Sequence, residues 1–222
     1  MTGKGRQKGH RAAAADYHHG DLRVALVEST LGLIAAGGSH QVTLRSVARA
    51  AGVSHMAPYN HFADRAALIA AAGAEGFRRL KRAMEQRMTS YGSDDPRRVQ
   101  GVGVAYVMFA VDNPELFRLM FGPELADTSS HAELARAARE VLDTLVGALG
   151  VARLGGPDAA AITEFALTPW ALVHGLAMLA VAGQLPKGKS AHIEALARNA
   201  TEMLFVGMKN WPRHPGRPDS PA

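Results

Sequence analysis

Apolar residues recur at helical spacing along almost the whole chain, and no run of β-branched residues alternates with polar ones for long enough to make a sheet. An all-α protein of about nine helices is therefore expected. Breaks such as Gly37-Gly38, Asn113-Pro114 and Gly122-Pro123 divide the periodic stretches into helix-sized pieces. The 222 residues are 47% hydrophobic and 20% charged, enough apolar material for a sizeable core, so a wholly disordered chain is excluded. With no cysteine, there is no disulfide, thiolate metal site, iron-sulfur cluster or cysteine nucleophile.

The elements follow in order. Residues 1–17 are a basic arm, with Lys4, Arg6, Lys8 and Arg11 against Asp16 alone. The arm reads either as a solvated terminus or as a segment that follows a DNA backbone. Its apolar run, Ala12 to Ala15, is far shorter than the ~7 to 15 residues of a secretory signal, so a cytoplasmic protein is expected. The neighbouring His18-His19 and Asp21 make poor chelating geometry, and no metal is expected there.

Gly20 and Asp21 lead into a first helix carrying Leu22, Leu26, Leu31 and Ile34, which ends at Gly37-Gly38, where glycine takes a left-handed cap. Thr43 reads as the N-cap of a short helix from Leu44 to Ala51, stopped by Gly52. Ser54 would cap a second short helix reaching about His61. A longer helix is expected from about Asp64 to Met88. Leu68, Ala72, Phe77, Leu80, Met84 and Met88 lie along one side of it, with Arg78, Arg79, Lys81 and Arg82 on much of the rest.

The cluster from Tyr91 to Pro96 ends that helix and marks the best boundary in the chain. Further helices are expected at about 97–111, 114–121, 131–149, 158–182 and 190–208, and the proline-rich residues 211–222 as a disordered tail. The apolar segment Phe165 to Ala182 contains Pro169 and His174 and follows Glu164, which favours a buried helix over a membrane span. Pro169 should bend it.

Charge is unevenly placed. The whole chain has 25 Lys/Arg against 20 Asp/Glu and a pI near 9.8. Residues 1–89 hold 13 Lys/Arg against 6 Asp/Glu, a net charge of +7, and the remainder has a net charge of −2. An anionic partner for the N-terminal part is implied. The stretch from Thr43 to Phe62 reads as a helix-turn-helix. Gly52 permits the steep crossing, Val47, Ala48 and Val53 hold the pair against the first helix, and the second helix offers polar residues to a DNA major groove ~12 Å wide.

These residues resemble the TetR family of one-component transcriptional regulators. The markers are Thr43 opening the scaffold helix, Ala51-Gly52-Val53-Ser54 at the turn, Tyr59-x-His61-Phe62 closing the recognition helix, and Arg65 and Leu68 starting the connecting helix. Arg65 stands where many relatives carry lysine. Met56 and Pro58 also depart from the usual pattern, so contacts in the middle of the recognition helix are expected to differ.

The resemblance implies a helix-turn-helix domain over 18–63, a connecting helix over 64–90 and a regulatory and dimerisation domain over 91–210. Thr43 and Ser54 would cap helices and donate to phosphate, and Tyr59 and His61 would press against the DNA backbone. His55, Met56 and Asn60 are candidates for groove contact. Arg45 and Arg65 read either as solvated charges or as phosphate ligands.

The C-terminal half holds no His-Glu-x-x-His, Gly-x-Ser-x-Gly or phosphate-cradling glycine loop, so neither an enzyme nor a cofactor is expected. Bulky residues on several helices, most of them core, include candidates to line an apolar small-molecule site. These are Phe77, Leu80, Met84, Tyr106, Phe109, Phe117, Met120, Trp170, His174 and Met178.

The run Trp170-Ala171-Leu172-Val173-His174-Gly175 resembles the regulatory domain of a TetR subgroup marked by tryptophan followed by His-Gly. His174 is either a satisfied buried histidine or a ligand contact, and Gly175 a close-packing point. The last helix places Ile193, Leu196, Ala197, Ala200 and Leu204 on one side, which suggests a partner helix. The expected protein is a homodimeric repressor, released from double-stranded operator DNA by a small apolar effector and independent of any membrane. A soluble helical binding protein without DNA function is its rival.

Overall fold

The computed structural model describes residues 19–151, 159–185 and 190–210. The basic arm, His18, the Gly155-Gly156-Pro157 break and the tail with Trp211 lie outside these residues. The described chain is all helical: α1 (His19–Gly37), α2 (Leu44–Ala50), α3 (Arg65–Met88), α4 (Arg98–Asp112), α5 (Pro114–Met120), α6 (Ala132–Val151), α7 (Ala159–Val181) and α8 (Ser190–Asn210). Three 3₁₀ segments, Ser39–Gln41, Ala57–Asn60 and Pro123–Leu125, complete it.

Local chemistry sets most boundaries. Gly38, at φ 84°, lets the chain leave α1 while its N–H still bonds the Ile34 carbonyl at 2.7 Å. Thr43 and Ser46 form a reciprocal capping box on α2, each hydroxyl accepting from the other's backbone N–H at 2.9 Å. Asp64 caps α3 by accepting from the Ala67 N–H at 2.8 Å.

The expected recognition helix differs. Only the 3₁₀ segment Ala57–Asn60 forms, preceded by Met56 and not by Ser54, and no side chain caps it. The cause is Pro58, which has no N–H to give the Ser54 carbonyl an α-helical bond. That carbonyl takes the Ala57 N–H at 3.0 Å, and the turn tightens.

One apolar cluster runs from Leu26 to Ala197 through all the helices around α4. Ten residues of α4 are buried, and the helix packs on α3, α7 and α8. Burying a side chain such as Phe117, fully enclosed, contributes about 1.5–3 kcal/mol. At Gly76 an added Cβ would stand 2.8 Å from the Met120 sulfur, so glycine there lets α3 approach α5 closely.

The polar side of α3 is tied to its neighbours by ion pairs. Arg79 reaches Glu28 of α1 at 2.5 Å, Arg78 and Arg23 share Glu133 of α6, and Arg87 meets Glu194 of α8 at 2.6 Å. Burial pushes the Glu75 carboxyl up, but hydrogen bonds from Arg78, Arg82 and Arg79 outweigh it and hold the group below the ordinary carboxylate range. Much of the N-terminal positive charge is thus paired within the protein.

Two packing expectations change. The apolar stripe of α8 turns largely inward: Ala197 is buried, Ile193 packs on the core and Leu204 lines a cavity. Gly175 packs against no helix of its own chain among the described residues, since it is exposed and a Cβ there would meet nothing within 4 Å.

Candidate DNA-facing surface and effector cavity

The surface built by α2 and the segment after it is polar outside and apolar beneath. Gly52, at φ 69°, turns the chain after α2, and the Val53 N–H returns to the Ala48 carbonyl at 3.0 Å. Val42, Leu44, Val47, Pro58 and Phe62 are buried below. Thr43, Arg45, Ser54, His55 and Asn60 are exposed above, together with the large side chains of Met56 and Tyr59, each more than half exposed at 57% and 54%. His61 is half-buried at the end of the segment.

The structure places Arg65 apart from this group. Its guanidinium donates to the Val42 and Ser39 carbonyls at 2.9 and 2.8 Å and pairs with Glu124 at 3.3 Å, so it braces the loop before α2. Among the described residues Arg45 and Arg49 make no ion pair. Arg49 was not among the sequence candidates, although it follows Arg45 by one turn of α2 and is equally exposed.

A cavity of about 580 Å³, within the usual range of small-molecule sites, opens between α3, α4, α6, α7 and α8. Of the sequence candidates, Phe77, Met84, Tyr106, Met120 and Trp170 line it. Leu80, Phe109 and Phe117 do not, because they are packed in the core behind it. Met178 points outward and is 40% exposed. Leu172 and Leu179 of α7 and Met203 and Val206 of α8 are likewise exposed.

His174 sits behind the wall, bonded through Nδ1 to the Tyr106 hydroxyl at 2.9 Å, while the Trp170 indole N–H donates to the same oxygen at 3.3 Å. Burial lowers the His174 pKa and so favours the neutral ring. The phenol oxygen thus accepts from Trp170 while one further hydrogen bond joins the hydroxyl to the histidine Nδ1. Burial pushes the Tyr106 phenol up, which the bond from Trp170 only partly offsets, and it remains un-ionised. Phe121 completes the cluster, its ring 4.7 Å from that of His174 and 5.4 Å from that of Phe77.

The cavity floor touches the loop that braces the DNA-facing surface. Gly122, Leu125 and Ala126 line the cavity around the segment Pro123–Leu125. From that segment Glu124 accepts the Ser39 hydroxyl hydrogen at 2.5 Å and pairs with Arg65. No helix among the described residues is long and apolar enough to cross a membrane.

Comparison with known proteins supports both halves. The family model for bacterial regulatory proteins of the tetR family matches residues 26–72, and that for a tetracyclin repressor-like C-terminal domain matches residues 99–204. A solved protein of unknown function from Rhodococcus sp. RHA1 is 32% identical, with a TM-score of 0.74 over 87% of this chain and 98% of that one. The regulator FadR of Bacillus subtilis, solved in complex with stearoyl-CoA, is similar in fold at 18% identity, with a TM-score of 0.60 over 83% of this chain and 98% of that one. A TetR family transcription regulator from Marinobacter aquaeolei VT8 is 22% identical, with a TM-score of 0.56 over 81% of this chain and 92% of that one. No curated protein matches the chain.

Proposed function

The chain belongs to the TetR family of bacterial regulatory proteins, and from that premise we propose a homodimeric, cytoplasmic repressor released from operator DNA when a small, mostly apolar molecule fills the cavity. The observation that carries the DNA half is the exposure of Met56 and Tyr59, flanked by His55, Asn60 and the unpaired Arg45 and Arg49, on a segment whose other side is anchored by Pro58 and Phe62. A packed aromatic would be buried. Tyr59 is held in solvent on a short rigid turn, where a groove or phosphate would cover it.

In this reading Arg45, Arg49, Thr43, Ser54, Tyr59 and His61 hold the phosphates, and His55, Met56 and Asn60 read the groove. Thr43 uses its oxygen as a helix-cap acceptor, which leaves its hydroxyl hydrogen for a phosphate. The exposed apolar surface of Leu172, Met178, Leu179, Met203 and Val206 is the dimer face, replacing the inward stripe of α8 in that role. We place the chain in the Trp/His-Gly subgroup on Trp170 and His174, joined through Tyr106.

Release follows from continuity. The α3 helix starts three residues after Phe62 and carries Phe77 and Met84 into the cavity wall, and Glu124 links the cavity floor to Ser39 and Arg65. A ligand that binds the DNA-incompetent arrangement a hundredfold more tightly shifts the equilibrium by about 2.7 kcal/mol. The bound stearoyl-CoA of the similar Bacillus fold supports an effector with an apolar body.

A footprint on the intergenic DNA upstream of the gene tests the DNA half. The expected result is protection of a near-palindrome with half-sites set by the ~34 Å helical repeat. Failure to shift any upstream fragment at low salt would sink it.

A further inference from the structure

Among the described residues the cavity wall carries a single charged side chain, Arg139 of α6; its polar companions Gln100, Thr128, Thr201, Tyr106 and Trp170 are neutral and the rest is apolar. Arg139 is exposed at the rim and makes no ion pair or hydrogen bond among the described residues. The nearby acid Glu140 is already held by Lys81 at 3.0 Å and lies 3.9 Å from Arg136. The α3 arginines Arg78 and Arg87, by contrast, have carboxylates at 3.0 and 2.6 Å.

Deeper in, the Tyr106 hydroxyl is already engaged by both Trp170 and His174, so an ionic head pushed to that depth would have to displace these bonds and would lose its hydration. The apolar interior therefore accepts a hydrocarbon body, and the rim accepts a head that keeps part of its water. A guanidinium there attracts an anion and repels a cation.

We propose that the effector is an amphiphilic anion, with its apolar body between α3, α4, α6 and α7 and its acidic head on the Arg139 guanidinium. This rests on the cavity being the effector site, and adds the sign and place of the ligand's charge.

The test uses the full chain carrying Trp211→Phe, so that Trp170 on the cavity wall is the remaining fluorophore. Three probes of one chain length are titrated at neutral pH: decanoate, 1-decanol and decylammonium. Decanoate should bind about fivefold more tightly than 1-decanol, the size expected for a partly exposed ion pair, and decylammonium more weakly than both. Arg139→Gln should erase the advantage of decanoate and leave 1-decanol unchanged, and Arg139→Lys should keep part of it.

Equal binding of decanoate and 1-decanol by the parent protein overturns the proposal while leaving the cavity reading intact. A preference for decanoate that survives Arg139→Gln does the same. Absence of any Trp170 response to all three probes removes the cavity as an effector site, and the proposal with it. Arg139 is an exposed residue, so folding of its variants is expected to match the parent by circular dichroism.

Discussion

The DNA-facing surface and the cavity are built on opposite plans. In the first, the bonds within the surface are local, Thr43 with Ser46, Val53 with Ala48 and Ala57 with Ser54, while Arg65 and Glu124 brace it from farther along the chain. In the second, the defining contacts join distant parts of the chain, Tyr106 to His174 across 68 residues and Arg87 to Glu194 across 107. A locally supported surface can lose side chains without unfolding, whereas a cavity lined by the core cannot. Function and stability should therefore separate by region.

Tyr106→Ala attacks the second region at its centre. It removes a side chain 2% exposed and leaves the His174 and Trp170 nitrogens unpaired, so a stability loss of about 3–5 kcal/mol is expected in urea unfolding. A loss below 1 kcal/mol would show that the cavity wall is not part of the core.

The reverse separation is expected of Arg45→Ala with Arg49→Ala. Operator affinity should fall for every sequence and the slope of log affinity on log salt should drop by about four for a dimer losing two contacts per protomer, with stability unchanged within about 0.5 kcal/mol. Anisotropy titrations at several salt concentrations measure this, and an unchanged slope would remove both arginines from the interface.

Arg65 lies where the regions meet. Arg65→Ala should cost about 1–3 kcal/mol by leaving the Val42 and Ser39 carbonyls without their charged donor, and should weaken DNA binding without lowering the salt slope. A slope reduced by about two, one contact per protomer, would return Arg65 to the phosphate contacts.

The smallest effect concerns acid. The Glu75 carboxyl is held low in the folded protein, so its contribution is present above the unfolded pKa and disappears as pH falls through the lowered folded value. Glu75→Gln should lower the thermal midpoint near neutrality and flatten its fall between about pH 5 and 3. Parallel curves for parent and variant would contradict this.

The same contrast explains what the sequence revealed. Helix positions were legible because their caps and breaks, Gly38, Thr43, Asp64 and Pro114, act on neighbours within one turn. The recognition segment differs from the helix its caps suggest because the missing donor of Pro58 tightens it to 3₁₀, an effect that the helix-turn-helix pattern does not display. The role of Arg65 was hidden because its partner Glu124 lies 59 residues away. Leu80, Phe109 and Phe117 look like Phe77 and Met84 in sequence, and only the packing of α3 and α4 against α6 and α7 decides which of them face the cavity.

The central claim is that filling the cavity weakens DNA binding through α3 and the Glu124 link. Ala138 of α6 lines the cavity and is half-buried, so Ala138→Phe places a fixed side chain where the effector would sit. Operator affinity and Trp170 fluorescence are then measured on the same Trp211→Phe background. The account expects a shifted Trp170 signal and an affinity reduced by at least about fivefold. A shifted signal with unchanged operator affinity would contradict it.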